Sequence, residues 1–154
     1  MAKAILALDL GTKTGFCVGD NFLQIHSTWD LKPGRHDGGG MRFLKFVQRL
    51  NEILATYPDI IVFYEEVRRH AGTDAAHVYG GLMGTLTGWC EEKGIPYSGV
   101  PVGSIKKFWT GKGNANKDLM VAECARRKIA VKDDNEADAC ALFWLKLEEF
   151  GDAL

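Results

Sequence analysis

Lys3-Ala4-Ile5-Leu6-Ala7-Leu8-Asp9-Leu10 is the stretch on which the fold turns. An apolar run of this length reads as a strand buried on both faces, and it runs straight into a carboxylate. Burying that charge is costly unless a metal ion or hydrogen bonds compensate it. Asp9 is therefore the first candidate for chemistry.

Outward from this strand, Gly11-Thr12-Lys13-Thr14-Gly15 reads as a turn into a second strand, Phe16-Cys17-Val18. Asp20-Asn21 turns the chain into a third, from Phe22 to Trp29, which completes an antiparallel meander. Residues 32–40, with Pro33 and four glycines, form a loop. From Met41 to Tyr57 apolar residues recur at three- and four-residue steps, predicting an amphipathic helix stopped by Pro58. Ile60-Ile61-Val62-Phe63-Tyr64 predicts a central strand that ends in Glu65-Glu66. A glycine-rich helix over 74–93, a short strand near Tyr97–Val100, helical segments over about 102–109 and 115–128, and a last helix from about Asn135 to Phe150 follow. The order β-β-β-α-β-α-β-α-α predicts an α/β fold with a mixed five-stranded sheet.

Composition narrows the function. The chain has 154 residues, 46% hydrophobic and 25% charged, as expected of one globular domain spanning 1–154. No apolar run is long enough to span a bilayer, and the opening Met1-Ala2-Lys3 meets Asp9 too early for a signal peptide, so a cytoplasmic protein without membrane contact is expected. Cys17, Cys90, Cys124 and Cys140 stand singly among apolar neighbours, predicting buried free thiols rather than zinc or disulfides. A net charge of −1 gives no global attraction to a polyanion. Between Ser104 and Lys132, however, eight basic residues (Lys106, Lys107, Lys112, Lys117, Arg126, Arg127, Lys128, Lys132) face only Asp118 and Glu123, a local patch of the kind that binds phosphates.

The other candidate acids lie far from Asp9 in sequence. Adjacent strand residues point to opposite faces, so only one of Glu65 and Glu66 can share a site with Asp9, and periodicity does not say which. In Asp133-Asp134-Asn135-Glu136-Ala137-Asp138, Asp138 falls inside a largely apolar helix. Asp134 and Asn135 can share its face, or either can cap the helix, whereas Glu136 points elsewhere. Two strand-end acids and a helical one form the oxygen-rich set that Mg²⁺ prefers for phosphodiester hydrolysis.

These residues resemble the RuvC-type Holliday junction resolvases, of the RNase H-like superfamily, over nearly the whole chain. Ala7-Leu8-Asp9-Leu10-Gly11-Thr12-Lys13-Thr14-Gly15 is similar to the family's first-strand motif, and Tyr64-Glu65-Glu66-Val67 to its (I/L)-E-x-V strand end, which favours Glu65. The segment from Ile105 to Lys117 resembles V-K-x-x-x-x-G-x-G-x-A-x-K, with Lys106 and Lys117 eleven positions apart. Ala137-Asp138-Ala139-Cys140-Ala141 resembles the A-D-A-x-A helix.

The resemblance implies a homodimeric endonuclease that cuts four-way or other branched DNA. It implies one or two Mg²⁺ ions, replaceable by Mn²⁺, on Asp9, Glu65 and Asp138, with Lys117 in the catalytic site and Lys106, Lys107, Lys112 and Lys117 on DNA. Where the family carries Asp or His three residues before the last acid, this chain has Asn135, with Asp134 as the alternative ligand. Where it carries an aromatic residue after the second acid, this chain has Arg68-Arg69-His70, suited to phosphate contact. In both respects it is more like phage-encoded members, whose place would be the host cytoplasm. Dimerisation is expected through the helix from Asp74 to Lys93, whose Val78, Tyr79, Leu82, Met83, Leu86 and Trp89 look too apolar to be covered on one face alone. Two readings compete. Asp-Leu-Gly-Thr-x-x-Gly also resembles a phosphate-binding hairpin of actin-like ATPases and sugar kinases, although those need two domains. A catalytically silent junction-binding protein is the other.

Overall fold

Residues 3–151 are described by a computed structural model. Met1 and Ala2, part of the opening read above, and residues 152–154 lie outside the described residues. The elements, in chain order, are β1 (Ala4–Asp9), β2 (Lys13–Gly19), β3 (Gln24–Asp30), α1 (Met41–Thr56), β4 (Ile60–Glu66), α2 (Thr73–Lys93), β5 (Tyr97–Pro101), α3 (Val102–Thr110), α4 (Lys117–Arg126) and α5 (Asp134–Phe150).

They form one mixed sheet of order β3-β2-β1-β4-β5, antiparallel across β3, β2 and β1 and parallel across β1, β4 and β5. Strand alternation sorts β1 between two cores. Leu6 and Leu8 join Val62 and the buried faces of α1 and α2, whereas Ile5 and Ala7 join Phe63 and the faces of α3, α4 and α5. Burial on both faces explains why β1 and β4 read as continuous apolar runs. All four cysteines are free and buried in these cores.

Several boundaries differ from those read in sequence. The first turn is shorter, since Lys13, Thr14 and Gly15 already pair with Asp30, Trp29 and Thr28, and the Thr14 hydroxyl donates to the Gly11 carbonyl at 2.6 Å. Phe22 and Leu23 belong to the second turn rather than to β3, because the Asp20 carboxylate accepts from both of their N–H groups. α4 begins only at Lys117, where the Asn116 side chain accepts from Leu119 N–H. The last helix is capped by neither Asp134 nor Asn135. Asp133, in extended backbone, accepts from Glu136 N–H at 2.8 Å, leaving its two successors inside the first turn.

α2 covers its apolar residues within the monomer. Tyr79, Leu82, Leu86 and Trp89 are buried against the sheet and α1, with Val78 and Met83 packed at the margin. The apolarity of this helix therefore supplies no unpartnered face. What points outward is the row Gly80, Gly84 and Gly88, with nothing within 4 Å of where a Cβ would stand. Among the described residues no helix is long and apolar enough to cross a membrane.

Candidate metal centre

Parallel pairing matches Ile5 with Ile61, Ala7 with Phe63 and Leu8 with Tyr64. One further step along both strands sets Asp9 level with Glu65. Both then point to the α5 face of the sheet, while Glu66 follows Tyr64 to the opposite face. α5 crosses this face at close range. A Cβ on Gly15 would stand 1.9 Å from the Asn135 carbonyl oxygen, so the absence of a side chain there lets the start of α5 lie directly on β2. One helical turn beyond that crossing, Asp138 meets the two strand-end acids, and Asp9, Glu65 and Asp138 each offer a carboxylate oxygen within 4.8 Å of the others.

Polar contacts with β3 fix the crossing. The Thr28 hydroxyl donates to Asp133 Oδ1 at 2.8 Å. Glu136, only 2% exposed, accepts from Lys132 N–H through Oε1 and pairs with the His26 ring through Oε2. Glu136 does point away from Asp138, but it points into the protein as an anchor. Sequence reasoning passed over His26 and Thr28, whose only signal was polar residues alternating along an edge strand.

The three acids are held in conflict. Burial first, then the neighbouring Glu65 and Asp138 carboxylates, keep Asp9 well above the usual carboxylate range. Burial raises Glu65, against the hydrogen bond from Asp9 and the charge of Lys106. Asp138 is pushed up to about 7 by burial and by Glu65 and Asp134, against Lys106 and Lys117. Its Oδ1 is buried without a hydrogen-bond partner. An orphaned carboxylate oxygen beside two further, partly buried acids fits a hard divalent cation, which would satisfy the oxygen and cancel the repulsion.

The remaining candidates fall into three groups. Asp134 lies near enough to raise Asp9 and Asp138 but stands outside the close triad, and its Oδ2 pairs at 3.5 Å with Lys117 Nζ. Asn135, beside it in the first turn of α5, presses its backbone on Gly15. Lys106 on α3 and Lys117 at the start of α4 flank the acids, Lys106 half-buried and Lys117 exposed, as Lys107 and Lys112 are. Arg68 lies 3.5 Å from Glu66, and Arg68, Arg69, Glu65 and Lys106 line one groove beside the triad. Among the described residues Lys106, Lys107, Lys112 and Arg69 take part in no ion pair. Arg126 and Arg127 are less available, since both engage Glu123 and Arg127 stacks 3.9 Å over Trp109.

No family model matches the sequence, and neither does any curated protein. Solved structures do match. Thermus thermophilus RuvC superposes with a TM-score of 0.72 at 19% identity over 97% of this chain and 96% of that one. T. thermophilus RuvC in complex with a Holliday junction substrate gives 0.69 at 20% identity over 94% and 96%. The yeast mitochondrial Holliday junction resolvase Ydc2 gives 0.59 at 14% identity over 97% and 83%. This chain therefore has the RuvC-like, RNase H-like fold.

Proposed function

We propose that this protein is a divalent-metal-dependent endonuclease that resolves four-way DNA junctions by paired phosphodiester hydrolysis. The observation that carries the reading is the triad of Asp9, Glu65 and Asp138, partly buried, mutually repelling and with one orphaned oxygen, on a fold shared with junction resolvases.

Asp9, Glu65 and Asp138 would hold Mg²⁺ or Mn²⁺, one or two ions, which supply Lewis-acid stabilisation and a more acidic water. Asp134 and Asn135 are the candidates for a further oxygen ligand. Lys117 is assigned to the negative charge that develops on the phosphate in the transition state, and its pairing with Asp134 holds the ammonium beside the acids until DNA arrives. Lys106, Lys107, Lys112, Arg68 and Arg69 are assigned to DNA phosphates; among the described residues all but Arg68, which pairs with Glu66, are in no ion pair. A twofold homodimer would bring two such sites to the two symmetric strands of a junction. The open glycine row of α2 suits a close helix-to-helix approach between copies. Asn135 and Arg68-Arg69-His70, where the resolvase pattern has other residues, are the basis for proposing a phage-encoded enzyme that works in the host cytoplasm.

The deciding experiment is cleavage of a labelled four-way junction with Mg²⁺, beside linear duplex, a flap and an RNA–DNA hybrid. Symmetric nicks on the junction alone, leaving 5′-phosphate and 3′-hydroxyl ends, are expected. Junction binding with no cutting in Mg²⁺ or Mn²⁺ would establish the silent binder instead. ATP-dependent thermal stabilisation without junction binding would favour the kinase-like reading.

A further inference from the structure

On the α1/α2 face of the sheet, opposite the face that carries the acids, the residues that follow β1 border a hollow of about 410 Å³. Leu10 and Val78 form apolar wall, with the Tyr79 ring beside them, and Arg42, His70 and Asp74 supply the polar groups. Arg42 Nε and His70 Nε2 are both buried without hydrogen-bond partners, an unfavourable state for two such groups in one small region. Among the described residues neither Arg42 nor Asp74 is in an ion pair, although they line the same cavity.

The hollow is tied to the metal centre at two points. Leu10 directly follows Asp9. The Tyr79 hydroxyl donates to the Glu65 carbonyl at 2.8 Å and accepts from Val67 N–H at 3.0 Å, while the His70 ring stands 4.9 Å from the Tyr79 ring. A group seated here therefore leans on the side chain that holds the backbone of Glu65.

The lining selects among ligands. Phosphate is disfavoured because the Asp74 carboxylate opposes an anion, even though Arg42, His70 and Thr12 offer donors, and because Leu10, Ala75 and Val78 would desolvate its charge. A planar ring with both acceptors and donors on its edges suits the cavity better, as the volume is in the range of small-molecule sites. Of the four bases, guanine presents O6 and N7 acceptors to a guanidinium and N1–H and N2–H₂ donors to a carboxylate.

We propose that this hollow receives one nucleobase of the DNA strand passing the acids, guanine preferred, read by Arg42 and Asp74. The assignment rests on the junction-nuclease reading and adds a residue-level source of cleavage-site preference.

The test uses four-way junctions randomised at the nucleotides flanking the nick, with nicked products sequenced. Wild-type protein is expected to enrich guanine about tenfold at one flanking position. Arg42→Gln and, independently, Asp74→Asn should bring that enrichment close to parity while melting within a degree or two of wild type. Inosine at the enriched position, which keeps O6, N7 and N1–H but lacks the N2 amine, should be nicked more slowly than guanine by wild type and at about the same rate as guanine by Asp74→Asn. A wild type that nicks without base preference, or variants that keep the preference, would overturn the pocket assignment alone. If wild type nicks no junction, the nuclease reading fails first and the pocket assignment goes with it. Should Arg42→Gln misfold, Asp74→Asn at the exposed first turn of α2 still decides the matter.

Discussion

Asp138, held at about 7 against an ordinary value near 4, takes up a proton on folding in the absence of metal. A folded value above the unfolded one means that this contribution to stability is complete below about pH 4 and is lost as the pH rises through about 7. Asp9 and Glu65, also raised, act in the same direction. The metal-free protein should therefore melt at progressively lower temperature from pH 4.5 to 8 in EDTA. Mg²⁺ should restore stability most strongly at the alkaline end, and Asp138→Asn should make the decline shallower. A melting temperature independent of both pH and Mg²⁺ would count against a metal centre here. On junction DNA, Asp9→Asn should reduce Mg²⁺-dependent cutting at least about a thousandfold while leaving affinity equal or higher, since a negative charge near phosphates has been removed. Glu66→Gln, altering a side chain on the opposite face, should cut nearly as wild type, whereas Glu65→Gln should not. Lys117→Ala should remain slow at saturating protein; recovery with added protein would reduce Lys117 to a phosphate contact.

At the scale of elements, the first turn of α5 is the joint that brings a helix to two strand ends. Gly15 permits the crossing, Asp133 caps the helix and reaches Thr28, and Glu136 reaches His26. Gly15→Ala puts a methyl group into the Asn135 carbonyl, so a loss of about 3 kcal/mol, near 10 °C in melting temperature, is expected. The surviving folded protein should bind Mg²⁺ more weakly, because the displaced helix carries Asp138. Calorimetric titration with Mg²⁺ checks the second effect separately from the first. The same contact explains why the glycine-bearing hairpin resembles a phosphate loop in sequence: at Gly15 the space beside the backbone is filled by α5.

For the whole molecule, symmetric cutting by one acid cluster per chain requires two chains. Sedimentation at micromolar concentration should give about twice 17.0 kDa. Gly84→Leu, on the open row of α2, should leave the monomer folded and return the mass to that of one chain. Mixing wild type with excess Asp9→Asn should yield singly nicked junctions. Paired cuts by a species that stays monomeric on DNA would refute the arrangement.

The mixed sheet, the buried first strand and the double-faced β4 were legible in the sequence, because local hydrophobic periodicity and turn residues encode them directly, whereas the order β-β-β-α-β-α-β-α-α is one helix short of the three that follow β5. Also legible was the presence of candidate acids at two strand ends and inside one apolar helix, since a charge adjoining an apolar run is visible without coordinates. Four matters were not. Choosing between Glu65 and Glu66 requires the register of β4 on β1, a long-range pairing that places Asp9 and Glu65 on the same face. The cap of α5 passed to Asp133 because β3 lies beneath it, and the apolar side chains of α2 found cover inside the monomer because α1 and the sheet meet them there. The hollow of Arg42, His70 and Asp74 gathers residues from three separate segments, and no local pattern announces that they meet. Local sequence sets which groups each element carries; only the packing of distant elements decides which of those groups share a space.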